Sequence, residues 1–289
     1  LKHGENPMSL RYAITLFRFL TISMSKETIH TSEQECLAHY QKTDYDTPLF
    51  TVDMAIFSVA KGQLQVLMIQ RSNFPEKGKW ALPGGFVDLK TDPNLMATAH
   101  RKLLEKTGIH SPYLEQVETI GNQHRDPRGW SITALYFALI DFNKFQIQQS
   151  TTTEQSEWLS INEALKLDLA FDHKDLLQLA FDRLCNKTRY TALPASLMPE
   201  LFTLTELQTI YEIILGHTLE KKSFRRRMQE AAVVEETGQQ KIVGKRPAQL
   251  FRYALDNYHF TFPRMLETPR HPNVEDISFD SIMNIDSSC

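Results

Sequence analysis

The chain has 289 residues, enough for two separate cores, and its composition of 42% hydrophobic and 23% charged residues with a net charge of −3 is ordinary for a globular protein. That excludes a disordered or low-complexity chain, and no apolar run approaches a membrane span. Cys36, Cys185 and Cys289 lack metal or redox spacing, so reduced thiols in a cytoplasm are expected, with no bound metal.

Residues 1–45 read as an extension. Met24 opens more protein-like sequence than the preceding 23 residues, which are expected to be upstream sequence and disordered; Arg18 breaks their apolar run, against a signal peptide. A short helix is expected over Glu33–Tyr40. Leu49–Val59 and Gln65–Gln70 are β-branched, apolar runs separated by Lys61-Gly62, a hairpin signal. Arg71 follows the second strand; its side chain is either an edge charge or a ligand contact.

The stretch Trp80–Ile109 organises this half of the chain. Ala81–Val87 reads as a strand punctuated by Pro83-Gly84-Gly85. Asp92-Pro93 supplies an N-cap acceptor and a proline for the first helical position. Leu95, Met96, Ala99 and Leu103 then recur at helical spacing, predicting one buried face, and Gly108 supplies the stop.

Strand, glycine loop, helix and glycine in this order resemble a Nudix box. Arg101, Leu103, Glu105, Gly108 and Ile109 match its end, but Lys102 and Lys106 hold the places of two metal-binding glutamates. The upstream glutamate is missing as well: Thr91 or Pro93 stands at its place, depending on the direction of counting, and no glutamate lies between Gly85 and Arg101. Residues 102, 105 and 106 share about 100° of helical arc. Their charge is +1 where three carboxylates would give −3. That disfavours Mg²⁺, which takes oxygen ligands in octahedral geometry, and suits a diphosphate paired with lysines. Taken outside the motif, the two lysines would be an ordinary solvated face.

Leu114–Ile120 and Trp130–Ile140 read as strands flanking GNQHRDPRGW, a loop that concentrates His124, Arg125, Asp126 and Arg128. This loop resembles that of the ADP-ribose-handling Nudix branch and its regulator relatives, and Leu167–Leu184 resembles the helix that closes their Nudix domain. The resemblance runs from Leu49 to Leu184 and implies an α/β fold, a mixed sheet sandwiched by helices over residues 46–186. It implies an effector site at Arg71, Lys102, Glu105, Lys106, Arg125, Asp126 and Arg128, with no catalytic residue.

Periodicity is lost over Lys187–Ser196, read as a linker within 187–198. Residues 199–265 carry ten Lys/Arg against eight Asp/Glu, a local +2 that leaves −5 for the remainder. Leu207, Ile210, Tyr211 and Ile214 predict a helix stopped by Gly216; after a turn at His217-Thr218 comes a second helix, Leu219–Ala232. With Phe224 at 0°, Met228 and Ala231 share its face, while Lys222, Arg225, Arg226 and Gln229 gather opposite. Val233-Val234 and Leu250–Tyr253 read as strands joined by a basic wing. This is a winged helix-turn-helix with Lys221, Lys222, Arg225, Arg226, Gln229, Lys245 and Arg246 facing DNA. Winged helices also bind proteins, but five basic residues within Lys221–Arg227 favour DNA. Residues 266–289, acidic and punctuated by proline, read as a tail.

A degenerate Nudix domain ahead of a winged helix resembles the Nudix-related transcriptional regulators of NAD metabolism. The resemblance implies a dimeric bacterial repressor, paired through the Nudix domain, that answers to ADP-ribose, needs no cofactor, and binds a palindromic operator near NAD biosynthesis or salvage genes. The rival is an active Mg²⁺-dependent hydrolase cleaving ADP-ribose to AMP and ribose 5-phosphate. The altered box points away from it.

Overall fold

The computed structural model describes residues 32–39, 46–108, 113–142, 153–243, 246–254, 260–263 and 265. The first 23 residues, Lys245 and residues 266–289 lie outside the described residues. The chain divides after Thr47 into two units. In the first, the expected short helix is α1, Glu33–His39. The rest of the description concerns the second.

Seven strands form one mixed sheet. They are β1 (Leu49–Ala60), β2 (Gln63–Arg71), β3 (Trp80–Ala81), β4 (Gly84–Phe86), β5 (Tyr113–Asn122), β6 (Ser131–Leu139) and β7 (Thr153–Ser160). The main path runs β3-β2-β1-β6-β5, with β4 on β1 and β7 on β2. Only the β1–β6 pair is parallel, in register from Leu49↔Ser131 to Phe57↔Leu139. Strand alternation sends Val52, Met54 and Ile56 to one face, where they meet Leu67, Ala99 and Leu103. Ala55 and Phe57 point to the other, against Leu176, Leu177, Ala180 and Leu184. Burial on both faces explains why β1 reads as an almost unbroken apolar run. The covering helices are α2 (Leu95–Thr107) on the first face and α4 (His173–Tyr190) on the second, with α3 (Ile161–Ala164) between β7 and α4. This is the expected α/β/α sandwich.

Several boundaries differ from the sequence reading. The single strand expected over Ala81–Val87 is two short ones, because Pro83 has no N–H to donate to a ladder; its carbonyl instead accepts from Met54 N at 2.8 Å. Asp92-Pro93 does not start α2. Asn94 is the N-cap, its side chain accepting from Ala97 N, and Gly108 ends the helix at φ 69° as expected. Of the predicted apolar stripe Ala99 and Leu103 are buried, Leu95 packs at the edge, and Met96 is 40% exposed. The closing helix lies six residues later than the Leu167–Leu184 expectation, since Phe171 at φ 53° interrupts the chain just before it.

The C-terminal module contains α5 (Leu204–Leu215), α6 (Lys221–Glu230), β8 (Val234–Val243) and β9 (Arg246–Tyr253). Thr203 and Glu206 form a capping box at the start of α5, and Gly216 closes it at φ 74°. Helix α6 begins two residues later than expected because Glu220 caps it, accepting from Lys222 N and Ser223 N. Phe224 and Met228 enter a core with Phe202, Leu207, Tyr211, Val233 and Phe251. Burying each contributes about 1.5–3 kcal/mol.

The expected linker is not one. Helix α4 runs through it to Tyr190, and a 3-10 turn at Leu193–Leu197 is entirely buried. Leu193 and Leu197 pack with the sheet domain, while Ala192 and Ala195 pack with the winged helix. Tyr211 Oη donates to Thr191 O at 2.9 Å, Ala192 N to Phe260 O at 3.1 Å, and Phe262 N to Tyr190 O at 2.7 Å. Helix α5 serves both cores: Leu207 and Tyr211 face one, Ile210, Ile213 and Ile214 the other. A helix apolar on two sides is a helix covered on two sides.

Candidate functional site

The site is built around the glycine strand β4. A Cβ on Gly84 would fall 2.2 Å from Asp53 Oδ1 and 2.5 Å from Val52 O, so only glycine lets β4 lie on β1 there. Gly85, at φ 153°, is crossed by the Lys102 side chain, whose Cε would be 2.9 Å from a Cβ. Lys102 Nζ donates to Glu105 Oε2 at 2.9 Å, and Arg101 donates to Glu105 Oε1 at 2.9 Å. Burial opposes ionisation of Glu105, but these two hydrogen bonds prevail and hold its carboxyl below the usual range. Burial first, then the charge of Lys102, lowers the Lys106 ammonium pKa. Asp92 is taken up by Arg101 (Nε–Oδ1 2.8 Å), which depresses its pKa strongly; Thr98 Oγ1 and Asp88 N complete its shell. The donor set does not fit a divalent cation. Among the helix's motif positions only Glu105 offers carboxylate oxygens, and both are bound to cationic side chains.

Across β4 the expected basic residues converge. The Arg128 guanidinium lies 5.2 Å from the Phe86 ring centroid and pairs with Asp126 through Nε (3.0 Å) and an NH2 contact (2.6 Å). That pairing keeps the Asp126 carboxyl ionised below its ordinary pKa. Arg71 stacks 4.7 Å over Phe171 and donates to Pro75 O at 3.1 Å. Its pKa is lowered by burial and by the neighbouring Arg128 charge, against the pull of Asp126 and Asp53. Two guanidiniums, each resting on an aromatic face, make a basic cradle that would suit an anion.

Arg125 has a different place. It is 9% exposed and grips Asp172 through Nε (2.9 Å) and NH2 (3.0 Å), with Asp53 3.7 Å away. Asp53 accepts from Thr133 Oγ1 at 2.8 Å, and its other oxygen is 4.0 Å from His173 Nε2. His173 Nδ1 accepts from Leu82 N at 2.9 Å, so a neutral ring carries its proton on Nε2, toward Asp53. Burial lowers the His173 pKa and favours this neutral form, although Asp53 and Asp172 pull the other way. Asp53, Phe86, Phe171, Asp172 and His173 escaped the sequence reading. One signal was available: Asp53 is a lone acid inside the apolar run of β1. Phe86 ends the three-residue strand β4, and the others lie in a loop or at a helix start, without periodicity.

On the winged helix, Lys221, Lys222, Arg226 and Gln229 are exposed along α6, and so is Arg246 on β9. Arg225 is half-buried, donating to Thr205 Oγ1 of α5 at 3.1 Å. Arg227 turns inward onto the Phe262 ring, 5.1 Å from its centroid. The basic face is therefore contiguous along the outer side of α6.

Two family models match. Residues 49–180 match the Nudix domain and residues 194–253 the NrtR DNA-binding winged helix domain. A protein of Acinetobacter baylyi called an ADPR responsive transcriptional repressor is 72% identical over 248 residues, covering 86% of this chain and 99% of that protein. The chain belongs to the NrtR family. Shewanella oneidensis NrtR, solved in complex with a 27mer DNA, is 42% identical with a TM-score of 0.70, over 75% of this chain and 99% of that one. The NUDIX domain of the same NrtR, solved with ADP ribose, is 44% identical with a TM-score of 0.50, over 53% of this chain and 99% of that one. In this NrtR-family chain, then, the basic cradle lies in the Nudix part and the basic helix in the NrtR winged helix. Among the described residues no helix is long and apolar enough to cross a membrane.

Proposed function

We propose that this NrtR-family chain is an ADP-ribose-responsive transcriptional repressor of NAD biosynthesis or salvage genes, working in the cytoplasm with a catalytically silent Nudix domain. The observation that carries the reading is the charge inversion beside β4, where Lys102 neutralises the motif's remaining glutamate. Without carboxylates for metal, the same position offers a diphosphate the Lys102 ammonium and guanidiniums at Arg71 and Arg128, whereas Lys106, expected beside them, is buried at 7% exposure. Phe86 and Phe171 supply apolar faces beside them. Asp126 orients Arg128, Glu105 orients Lys102, and Arg125 acts from beneath by fixing Asp172 and the start of α4.

In the winged helix, Lys221, Lys222, Arg226 and Arg246 neutralise phosphates, joined by Lys245, the residue before Arg246 in the sequence. Arg225 braces α6 on α5, and Gln229 reads a base edge in the major groove. Two copies joined through the Nudix domain present two such helices to a palindromic operator. The linker expected over residues 187–198 is instead a packed joint, so effector binding moves each winged helix as one body with α4. Helix α4 starts at the cradle with His173 and ends at the joint with Tyr190; its 18 residues span about 27 Å. Ligand and operator then oppose one another, and reciprocity requires each to weaken the other equally, with about 1–3 kcal/mol of coupling.

The test is operator affinity across an ADP-ribose titration. The expected result is a fall of roughly 5–150-fold at saturation. An unchanged dissociation constant, with the cradle shown independently to be full, would refute it.

A further inference from the structure

A groove of about 660 Å³ runs along the inner edge of α6, between that helix and the returning segment 260–265. Ala231, Phe260, Phe262 and Met265 provide its apolar wall, and Arg226 and Arg227 its cations. Met265 is 56% exposed, and the Arg226 side chain is 72% exposed, its nearest carboxylate being Glu230 at 3.9 Å. A wet, cationic groove with an aromatic wall suits a partner that is both acidic and apolar.

Such a partner begins at the groove itself. The chain leaves Met265 into residues 266–289, which carry five acidic residues, Glu267, Glu275, Asp276, Asp280 and Asp286, against the single Arg270. Val274, Ile277, Phe279, Ile282, Met283 and Ile285 alternate with these acids. Eight residues, 266–273, separate Met265 from this run, a reach of about 30 Å when extended and ample to return to α6. Because the run is tethered beside its target, its effective concentration is on the order of millimolar, and weak contacts suffice.

We propose that residues 274–286 dock in the α6 groove of their own chain, apolar side chains on Phe260 and Met265 and carboxylates on Arg226 and Arg227, and compete with DNA for α6. The competition rests on the DNA-reading role given to α6 above; the docking itself does not. The tail is then a built-in polyanion that raises the threshold for non-specific DNA and leaves the operator, with its extra base contacts, able to displace it.

The experiment uses the full chain with a spin label on Cys289 and Cys36→Ser. Cys185 is left in place: it is half-buried, and burial pushes its thiol up to about 12. Docking predicts paramagnetic broadening of the Ser223–Ala231 amides at about 0.05 M salt, relieved near 0.5 M. It also predicts relief by Glu275→Gln, Asp276→Asn, Asp280→Asn and Asp286→Asn together. In the unlabelled chain this fourfold variant should bind a mixed-sequence DNA duplex about fivefold or more tightly than the wild type. No broadening at α6, or broadening that survives the substitutions, overturns the docking. Broadening that grows with protein concentration places the tail on a second copy and overturns the intramolecular form. Broadening with unchanged DNA affinity overturns the competition. A wild-type chain that binds no DNA while α6 is still broadened refutes the DNA reading and leaves the docking standing.

Discussion

Arg125 and Arg128 looked alike in the sequence, three residues apart in one polar loop, but the structure gives them opposite roles and so opposite phenotypes. Arg125→Ala removes one partner of a buried network, leaving Asp172 without its bidentate donor and Asp53 without its nearest guanidinium. Breaking a buried pair costs about 3–5 kcal/mol. The lower end applies, because the Asp172 side chain retains 19% exposure and Asp53 keeps its hydrogen bond from Thr133. About 3 kcal/mol corresponds to a fall of roughly 6–12 °C in Tm. Arg128 is itself 39% exposed, but its partner Asp126 is buried, with a side chain 9% exposed, and would keep the residue-128 backbone N–H as a donor, so truncation costs about 1–2 kcal/mol. Arg128→Ala should therefore destabilise less than Arg125→Ala while weakening ADP-ribose binding about 10–150-fold, the loss of a charge-assisted hydrogen bond of about 1.5–3 kcal/mol. Denaturant titration gives the first quantity and calorimetric titration of the ligand the second. Arg125→Ala combined with Asp172→Ala should recover part of the lost stability, since no buried carboxylate is stranded beside α4. An Arg125→Ala variant as stable as wild type, or an Arg128→Ala variant with undiminished affinity, would refute these roles.

The Nudix part should release no AMP from ADP-ribose with Mg²⁺ above a blank, because Glu105 is held by Arg101 and Lys102; chelator-sensitive turnover abolished by Glu105→Gln would sink the silent-domain reading. Arg226→Ala should lower the slope of log DNA affinity against log salt by about one unit, whereas Gln229→Ala should relax sequence preference. Electrophoretic mobility shifts on matched and mismatched duplexes separate the two, and an unmoved salt slope would count against Arg226. Burial lowers the pKa of His173 in the folded chain, so the unfolded chain takes up its proton first as pH falls. Stability should therefore decline below about pH 6.5, by up to about 1.4 kcal/mol per pH unit from this one group. His173→Gln should flatten that segment of the stability–pH curve, and an unaltered slope would exclude the assignment.

Much of the fold was legible because its signals are local. Gly108 and Gly216 end their helices at positive φ where the periodicity stops, and Phe224 and Met228 share a helix face whatever they pack against. The loss of motif carboxylates was equally legible, since Lys102 and Lys106 stand at fixed spacing from Arg101 and Gly108. The placement of Arg125 was not. Its burial depends on Asp172, 47 residues away, and on Asp53 in another strand, contacts that exist only after α4 closes over the sheet. The linker failed for the same reason. Residues 187–198 lack periodicity because they are covered from two sides, by the core beneath α4 and by the winged-helix core, and no single face repeats. Sequence by itself determined which elements form and which charges the ligand-facing helices carry. Tertiary packing alone decided which of those charges are spent inside and whether the two modules move together, because burial and pairing arise between segments distant in the chain.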